Sequence, residues 1–217
     1  MIHCIYFDFG RGGWENIPEF AWQHGKTQIF TKNNDIELVL WNEKMVEDLI
    51  EKEYPHFWNL YQSFPHKIMK VDFAKYAILH NKGGIYIDMD IHPIRNMDDL
   101  FLNNQFFVRW DDSHLPYNAV LGTVAGTELY TEILQHCEES FKEKSQMEIY
   151  QKWKGRYVFQ TTGHYMLHRV LKKNKIIKDD LLNIMFINNA KKAIYTFPTE
   201  GEAIFSDLNT SAWYGGI

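Results

Sequence analysis

A helical segment, a Gly-Gly pair and a short apolar strand follow one another in the first half of the chain, and this order constrains the fold most. Apolar residues recur every three or four positions across residues 66–81, a spacing typical of an α-helix. Gly83-Gly84 then ends the helix, and residues 85–87 are predicted to form a buried strand. The strand is followed by two carboxylates, Asp88 and Asp90. The segment therefore predicts a helix-to-strand unit with an acidic pair at the end of the strand.

The acidic pair predicts a cation site. Asp88 and Asp90 are separated by one residue, so in extended chain their side chains point to the same face. Carboxylate oxygens are the ligands that Mg²⁺ and Mn²⁺ prefer, and Mg²⁺ is usually held by one or two carboxylates together with substrate phosphates. Such an ion neutralises charge on a departing diphosphate, which favours a nucleotide-dependent transferase. The alternative is a pair of solvated or helix-capping aspartates.

Residues 71–90 match a known family pattern at every step of its spacing. The pattern is S-D-x-x-R-Y-x-x-L-x-x-x-G-G-x-Y-x-D-x-D, and this chain reads VDFAKYAILHNKGGIYIDMD. It resembles the DXD-containing retaining glycosyltransferases, which are glycosyltransferase family 32 with its Och1-like members and are related to the catalytic domains of clostridial glucosylating toxins. Lys75 stands where the family has Arg. Arg forms two parallel bonds to a phosphate or carboxylate, whereas Lys provides a point charge.

Weaker matches to the same family lie outside this segment. Tyr6 takes the place of a Trp that stacks on the nucleotide base, and Asn118 matches a segment that approaches the donor sugar. Ser211-Ala212-Trp213 matches an S-x-W string of the toxins, in which the Ser helps to ligate the metal and the Trp reaches the diphosphate. Two shorter strings also match, Leu40-Trp41 and Thr162-Gly163.

The resemblance implies a donor site with assigned roles. Asp90 is expected to contact the metal directly, Asp88 to bind the ribose or the metal through water, and Asp72 to accept hydrogen bonds from sugar hydroxyls. Lys75 is expected to stabilise the leaving diphosphate with the metal. The implied catalytic residues are Asp72, Lys75, Asp88 and Asp90; the donor-binding residues are Tyr6, Asp72, Tyr76, Gly84, Asp88, Asn118, Ser211 and Trp213; the metal ligands are Asp88, Asp90, Asp207, Asn209 and Ser211.

Some of these residues have simpler interpretations that stay open at this point. The acidic ligand of the toxins falls on Leu208, so Asp207 and Asn209 are alternatives for it. Asp72 is also consistent with a residue near the positive end of a helix, and Lys75 with a solvated position on the helix surface. Trp213 is also consistent with a core residue.

The order of elements predicts an α/β fold. Strands alternate with helices in the first half, which indicates a largely parallel sheet with ligands at the carboxyl ends of its strands. The resemblance specifies a GT-A-like (Rossmann-like) mixed, mostly parallel sheet flanked by helices, in one domain over residues 1–217. The predicted strands are 2–7, 27–30, 36–40, 85–87, 106–110, 119–124, 184–187 and 195–198. The predicted helices are 18–23, 43–52 with Asn42 as cap, one between Pro55 and Pro65, 66–81, 127–144 and 161–173.

Composition excludes several functional classes. A net charge of −5 and a pI near 6.0 argue against a nucleic-acid binder. Cys4 and Cys137 lie far apart and predict no disulfide framework. No apolar run approaches the roughly 20 residues that span a bilayer, and the first residues do not read as a signal peptide. We therefore expect a cytoplasmic enzyme of a microbe or a virus-infected cell, with an anchor on a longer chain left open.

The predicted function is transfer of a hexose from a nucleotide-diphosphate sugar to a glycan or other hydroxyl acceptor, with Mn²⁺ or Mg²⁺. UDP-sugar is the first expected donor and GDP-mannose the second, and retention of configuration is implied by the resemblance alone. One alternative is a haloacid-dehalogenase-like phosphotransferase, for which Asp179-Asp180 would supply the later acidic motif. Against it, the D-x-D lies far from the first strand. The other alternative is a sugar-nucleotide-binding module without catalytic activity.

Overall fold

The computed structural model describes residues 1–7, 37–89 and 115–176, and the backbone of five further strands in the remaining chain. The predicted helix 18–23 and strand 27–30 lie outside the described residues. The described strands are β1 (Ile2–Ile5), β2 (Leu38–Trp41), β3 (Gly84–Ile87), β4 (Ile91–Pro93), β5 (Gln105–Trp110), β6 (Leu115–Thr123), β7 (Leu182–Phe186), β8 (Ala193–Thr196) and β9 (Ala203–Asp207). They form one sheet in the order β2-β1-β3-β6-β5-β7-β8-β9-β4.

The described helices agree closely with the sequence pattern. They are α1 (Glu43–Glu53), a 3₁₀ turn (Pro55–Phe57), α2 (Trp58–Ser63), α3 (Lys67–Lys82), α4 (Glu128–Lys144), α5 (Glu148–Lys152), α6 (Lys154–Thr161) and α7 (His164–Lys173). Asn42 caps α1 as predicted, because its side chain accepts a hydrogen bond from the Met45 amide at 2.8 Å. The helices α5 and α6 and the strands β4 and β9 were not predicted.

The helix predicted over residues 161–173 begins at His164, and a separate helix, α6, that was not predicted ends just before it. The amides of Thr162 and Gly163 both donate to the Val158 carbonyl at 3.0 Å, and this pair of bonds ends α6. A new helix, α7, then begins at His164. Next to this junction, the Thr162 hydroxyl donates to Asp72 of α3.

The sheet is mixed, as predicted. β1 lies parallel to both β2 and β3, whereas β6 is antiparallel to β3 and β5. Three of the eight described pairings are parallel, so the expectation that most would be parallel does not hold for the described strands. The reason is that β5 and β6 are joined by only four residues, which allows a hairpin but no parallel crossover.

Helix α3 lies at the centre of the core. The nine consecutive residues 71–79 are all buried, so this helix is enclosed on every side rather than half exposed. Its neighbours include α1, α4 and the strands β1, β3 and β6. Polar residues in this part of α3 are therefore buried whichever face they lie on. Asp72 and Lys75 are two of them.

The described helices are short or carry many charges. The two longest are α4 with 17 residues and α3 with 16. Within the described part of the chain, none combines the length and the apolar character that crossing a membrane requires. The cytoplasmic location and the single domain stay predictions.

Candidate active site

The first strands of the sheet bring three predicted site residues to one edge. Because β1 and β3 are parallel, their carboxyl ends lie at the same edge, where Tyr6 follows β1 and Asp88 follows β3. The amide of Asp88 donates to the Ala119 carbonyl of β6 at 2.8 Å. Asn118 is the neighbouring residue of β6 and belongs to the same edge. This is the position at which open α/β sheets bind ligands.

Lys75 joins the helix to this edge. Its ammonium nitrogen lies 3.1 Å from Asp88 Oδ1 and 3.3 Å from Asp72 Oδ1, and it donates to the Asn118 carbonyl at 3.4 Å. A lysine ammonium has three donors, and here they face three protein acceptors. The side chain is 4% exposed, so the interpretation as a solvated lysine is excluded. Burial lowers its pKa, but the carboxylates of Asp88 and Asp72 outweigh burial and raise the pKa above its ordinary value.

Asp72 is enclosed by hydrogen-bond donors. Its Oδ1 accepts from Asn118 Nδ2 at 3.0 Å and contacts Lys75, and its Oδ2 accepts from the Thr162 hydroxyl at 3.1 Å. The residue is 4% exposed. Burial raises the pKa of Asp72, whereas Lys75, Thr162 and Asn118 act in the opposite direction. Asp72 is thus a buried, bonded carboxylate rather than a helix-start residue.

Asp88 is the part of this cluster that solvent reaches. Its side chain is 30% exposed, and its Oδ1 accepts a hydrogen bond from the Tyr86 hydroxyl at 2.6 Å. The Lys75 ammonium lies 5.0 Å from the centroid of the Tyr86 ring, a cation–π contact. One ammonium therefore contacts two carboxylates, and a cation would bind at the exposed one, Asp88.

Two residues of the cluster were not assigned to the site from the sequence. Tyr86 fixes Asp88, and Thr162 contacts α3 twice, because its hydroxyl donates to Asp72 while its carbonyl accepts from the Tyr76 hydroxyl at 2.9 Å. Tyr76, predicted as donor-binding, is fully buried and also accepts from Asn118 Nδ2 at 3.4 Å. The family resemblance could have indicated both residues. Tyr86 belongs to the motif over residues 71–90, and Thr162 belongs to the short match Thr162-Gly163.

The predicted C-terminal metal ligands are only partly described. Asp90, Asn209, Ser211 and Trp213 lie outside the described residues, and of Asp207 the backbone alone is described. In the ladder of β4 and β9, Asp207 lies opposite Ile91, the residue that follows Asp90. The pairing brings the C-terminal strand beside the acidic pair, although the two segments are more than a hundred residues apart.

The residues present fit a hard cation. In the described part of the chain no group of three His, Cys, Asp or Glu side chains lies together. However, Asp88 offers a partly exposed carboxylate, and the sequence has further carboxylates at positions 90 and 207, whose segments the strand register brings together. Carboxylate oxygens of this kind are what Mg²⁺ and Mn²⁺ prefer.

Gly84, predicted as donor-binding, lies at the other end of β3. Its φ is +93°, and a Cβ added there would lie 2.5 Å from the Met1 carbonyl oxygen. The strand separates Gly84 from Asp88 by roughly 13 Å at the usual rise per residue. The structure therefore does not bring Gly84 into the cluster, and backbone packing accounts for the glycine.

A neutral histidine fixes the chain before Gly84. The Trp41 indole N–H donates to His3 Nδ1 at 3.1 Å, so His3 Nε2 carries the proton and donates to the Gly83 carbonyl at 2.9 Å. Burial lowers the pKa of His3 to about 4, against the partial opposition of the Gly83 hydrogen bond. These contacts tie β1, β2 and the start of β3 together.

Comparison with known proteins agrees with the motif. The family described as "glycosyltransferase sugar-binding region containing DXD motif" matches residues 19–107. Inositol phosphoceramide mannosyltransferase 3 of Schizosaccharomyces pombe is 31% identical over 120 residues, which are 55% of this chain and 33% of the relative. A mannosyl phosphorylinositol ceramide synthase of Saccharomyces cerevisiae is 33% identical over 110 residues, which are 51% of this chain and 28% of the relative. The chain thus spans about a third of the length of these relatives.

The fold agrees with a solved glycosyltransferase. The structure titled "PaToxG Glycosyltransferase" superposes with a TM-score of 0.51, covering 80% of this chain and 67% of that chain at 12% identity. At this identity the likeness shows the fold alone, and it confirms the predicted GT-A-like class. Residues 19–107 therefore match the DXD-containing glycosyltransferase family, and the resemblance predicted from the motif is confirmed.

Proposed function

We propose that this chain is the catalytic part of a metal-dependent glycosyltransferase that moves a hexosyl group from a nucleotide-diphosphate sugar to a hydroxyl acceptor. The observation that carries the proposal is the buried Lys75, which joins Asp72 to the partly exposed Asp88 at the carboxyl edge of β1 and β3. Such an edge is a binding position, and an exposed carboxylate held by buried partners suits a cation and a diphosphate.

The proposed role of each residue follows from how exposed its side chain is. Asp88 and Asp90 would hold the divalent ion, with Asp207, Asn209 or Ser211 completing its oxygen ligands, and the ion would neutralise charge on the leaving diphosphate. Tyr6 would stack on the base at the same edge. Asp72 and Lys75 are buried. We therefore propose that they position Asp88 and do not bind the phosphates directly.

We propose retention of configuration, by attack from the face that the diphosphate leaves. The acceptor hydroxyl would then form the new bond to the sugar carbon while the bond from that carbon to the diphosphate oxygen breaks. The acceptor proton would pass to the leaving diphosphate, so no protein base is required. Stacking and hydrogen bonding by this chain would hold the donor in place.

The donor is proposed from the relatives. Those described above are named for transfer of mannose to inositol phosphoceramide, which supports GDP-mannose as the first donor to test, ahead of the UDP-hexoses that the sequence alone favoured. An acceptor with an inositol phosphate group follows from the same names.

A screen of nucleotide sugars for Mn²⁺-dependent hydrolysis tests the proposal. We expect the protein to hydrolyse one donor, and Asp90→Ala and Asp88→Asn to lower that rate by about a hundredfold or more, because each removes a charged oxygen ligand. Asp48→Asn, an exposed carboxylate change on α1, is the matched control and should act like the parent.

Three results would contradict the proposal. Donor hydrolysis that is equal in Asp90→Ala and the parent would exclude the acidic pair as the site. Donor binding with no hydrolysis and no transfer would favour the non-catalytic module. Phosphate release from phosphorylated substrates without sugar transfer would favour the phosphotransferase alternative.

A further inference from the structure

We propose that Thr162 is a positioning residue of the donor site, which rests on the function proposed above. Its hydroxyl fixes the carboxylate of Asp72, and Asp72 in turn fixes the ammonium that holds Asp88. The described contacts of Thr162 are with the buried residues Asp72, Tyr76 and Val158, and not with Asp88, the partly exposed carboxylate of the cluster. Its effect on the reaction would pass through Asp72 and Lys75.

Thr162 is held by two residues on one face of α3. Its hydroxyl donates to Asp72 Oδ2 at 3.1 Å, and its carbonyl accepts from the Tyr76 hydroxyl at 2.9 Å. Residues 72 and 76 are four apart and lie one above the other on the helix. The double contact fixes both the position of the Thr162 backbone and the direction in which its hydroxyl points.

The hydroxyl completes the bonding of a buried carboxylate. Oδ1 of Asp72 accepts from Asn118 Nδ2 and contacts Lys75, whereas the described donor to Oδ2 is Thr162. Asp72, Asn118 and Thr162 are all buried, so water cannot readily replace a missing donor. Without the hydroxyl, the carboxylate would rotate toward its remaining donors or draw Lys75 away from Asp88.

The junction between α6 and α7 is what places this hydroxyl. A continuous helix over residues 161–173 would carry Thr162 as one more helical residue, but the chain ends α6 and begins a new helix at His164. Both amides at the junction donate to Val158, which defines its geometry. The site is thereby coupled to two helices far from Asp88 in sequence.

Thr161 provides a matched control. It precedes Thr162 directly and is equally buried at 0% exposure, but its hydroxyl has no hydrogen-bond partner among the described residues. Thr161→Val and Thr162→Val therefore make the same chemical change at the same depth. Only the second removes a bond to Asp72.

The experiment compares donor hydrolysis with Mn²⁺ in Thr162→Val, Thr162→Ser and Thr161→Val. We expect Thr162→Val to lower kcat by about 10- to 100-fold with a smaller change in donor KM, the range typical of residues that orient a site. Thr162→Ser keeps the hydroxyl and should restore kcat to within about threefold of the parent. Thr161→Val should stay within about twofold. Equal kcat values for the two valine variants, or failure of serine to restore the rate, would overturn the assignment.

A double-mutant cycle tests the contact without any donor. Urea unfolding of Thr162→Val is measured in the parent and in Asp72→Asn, and we expect the shift in the urea midpoint to fall by at least about half in the second background. Independent shifts would overturn the assignment even where hydrolysis is observed. A parent protein that hydrolyses no donor would instead overturn the proposed function, so the two failures are distinguishable.

Discussion

The two ends of β3 are fixed by different physical means. At the amino end, Gly83-Gly84 packs against backbone, and the neutral His3 donates to the Gly83 carbonyl. At the carboxyl end, Asp88 is held by the ammonium of Lys75 and the hydroxyl of Tyr86, and it stays 30% exposed. One end is closed by steric fit and uncharged hydrogen bonds, and the other is open and charged.

The difference separates stability from function. Close backbone contact and uncharged hydrogen bonds fix the start of the strand. The charged end places a carboxylate at the edge of the sheet and leaves it partly exposed to solvent. Changes at the amino end should therefore lower the free energy of unfolding, whereas changes at the carboxyl end should lower activity as well.

The largest effect is expected for Lys75→Met. The change removes the cation between Asp72 and Asp88 and leaves a buried carboxylate without its partner, which costs about 3–5 kcal/mol in the free energy of unfolding. Donor hydrolysis should fall by about a hundredfold or more, because Asp88 loses its support. Urea unfolding and the hydrolysis assay measure the two effects.

Lys70→Met is the control for Lys75→Met. Lys70 lies five residues earlier on α3 and is partly exposed. Its ammonium lies over the Tyr61 ring at 5.0 Å and contacts no carboxylate of the cluster. Similar losses in the two variants would show that the effect comes from the helix and not from the charge between Asp72 and Asp88.

The second effect concerns the amino end alone. Gly84→Ala would place a Cβ 2.5 Å from the Met1 carbonyl oxygen at a φ of +93°, and we expect a loss of about 3 kcal/mol or more in the free energy of unfolding. Gly126 also has a positive φ, +72°, but a Cβ there meets nothing within 4 Å. Gly126→Ala should therefore lose only about 1 kcal/mol, the conformational part of the cost. Equal losses in the free energy of unfolding for the two variants would contradict a steric cause of the Gly84→Ala effect.

The smallest effect is a pH dependence of stability. The pKa of His3 is about 4 in the folded protein and 6.5 in its ordinary state, so below pH 6.5 the unfolded chain binds a proton that the folded chain does not. The contribution of neutral His3 to the free energy of unfolding is fully present above pH 6.5. It falls as the pH drops toward 4, by about 2 kcal/mol between pH 7 and pH 5.

The variant His3→Asn isolates this contribution. Its free energy of unfolding should fall less steeply with decreasing pH than that of the parent. Burial also lowers the pKa of His164 to about 4, but His164 is present in both proteins and affects both slopes alike. Parallel slopes for the parent and the variant would contradict a neutral, buried His3.

The motif indicated which residues come together at the edge of the sheet but not how deeply each of them is buried. The spacing of residues 71–90 indicated the family, which the comparisons confirm for residues 19–107. It could not show that Lys75 is enclosed, because helical periodicity predicts one polar face and α3 has none. Thr162 was recognisable only as part of a short family string, since its partner Asp72 lies 90 residues away.

The fold shows a similar division. Local signals gave the helix cap at Asn42 and the bounds of α3 within one residue. Neither α6 nor its break with α7 was predicted, since one continuous helix was predicted, over residues 161–173. Strands β4 and β9 depend on pairing with each other and with β8, which no local pattern specifies.

The sequence by itself determined the donor motif, the α/β class and the glycines at the start of β3, because each depends on local chemistry or on spacing within a few turns of chain. The tertiary structure decided which charges are buried and which is exposed. Enclosure of α3 placed Lys75 between two carboxylates and gave Asp72 its contact with Thr162. The physical reason is that desolvation and hydrogen bonding of a charge depend on its neighbours in space, and those come from four separate parts of the chain.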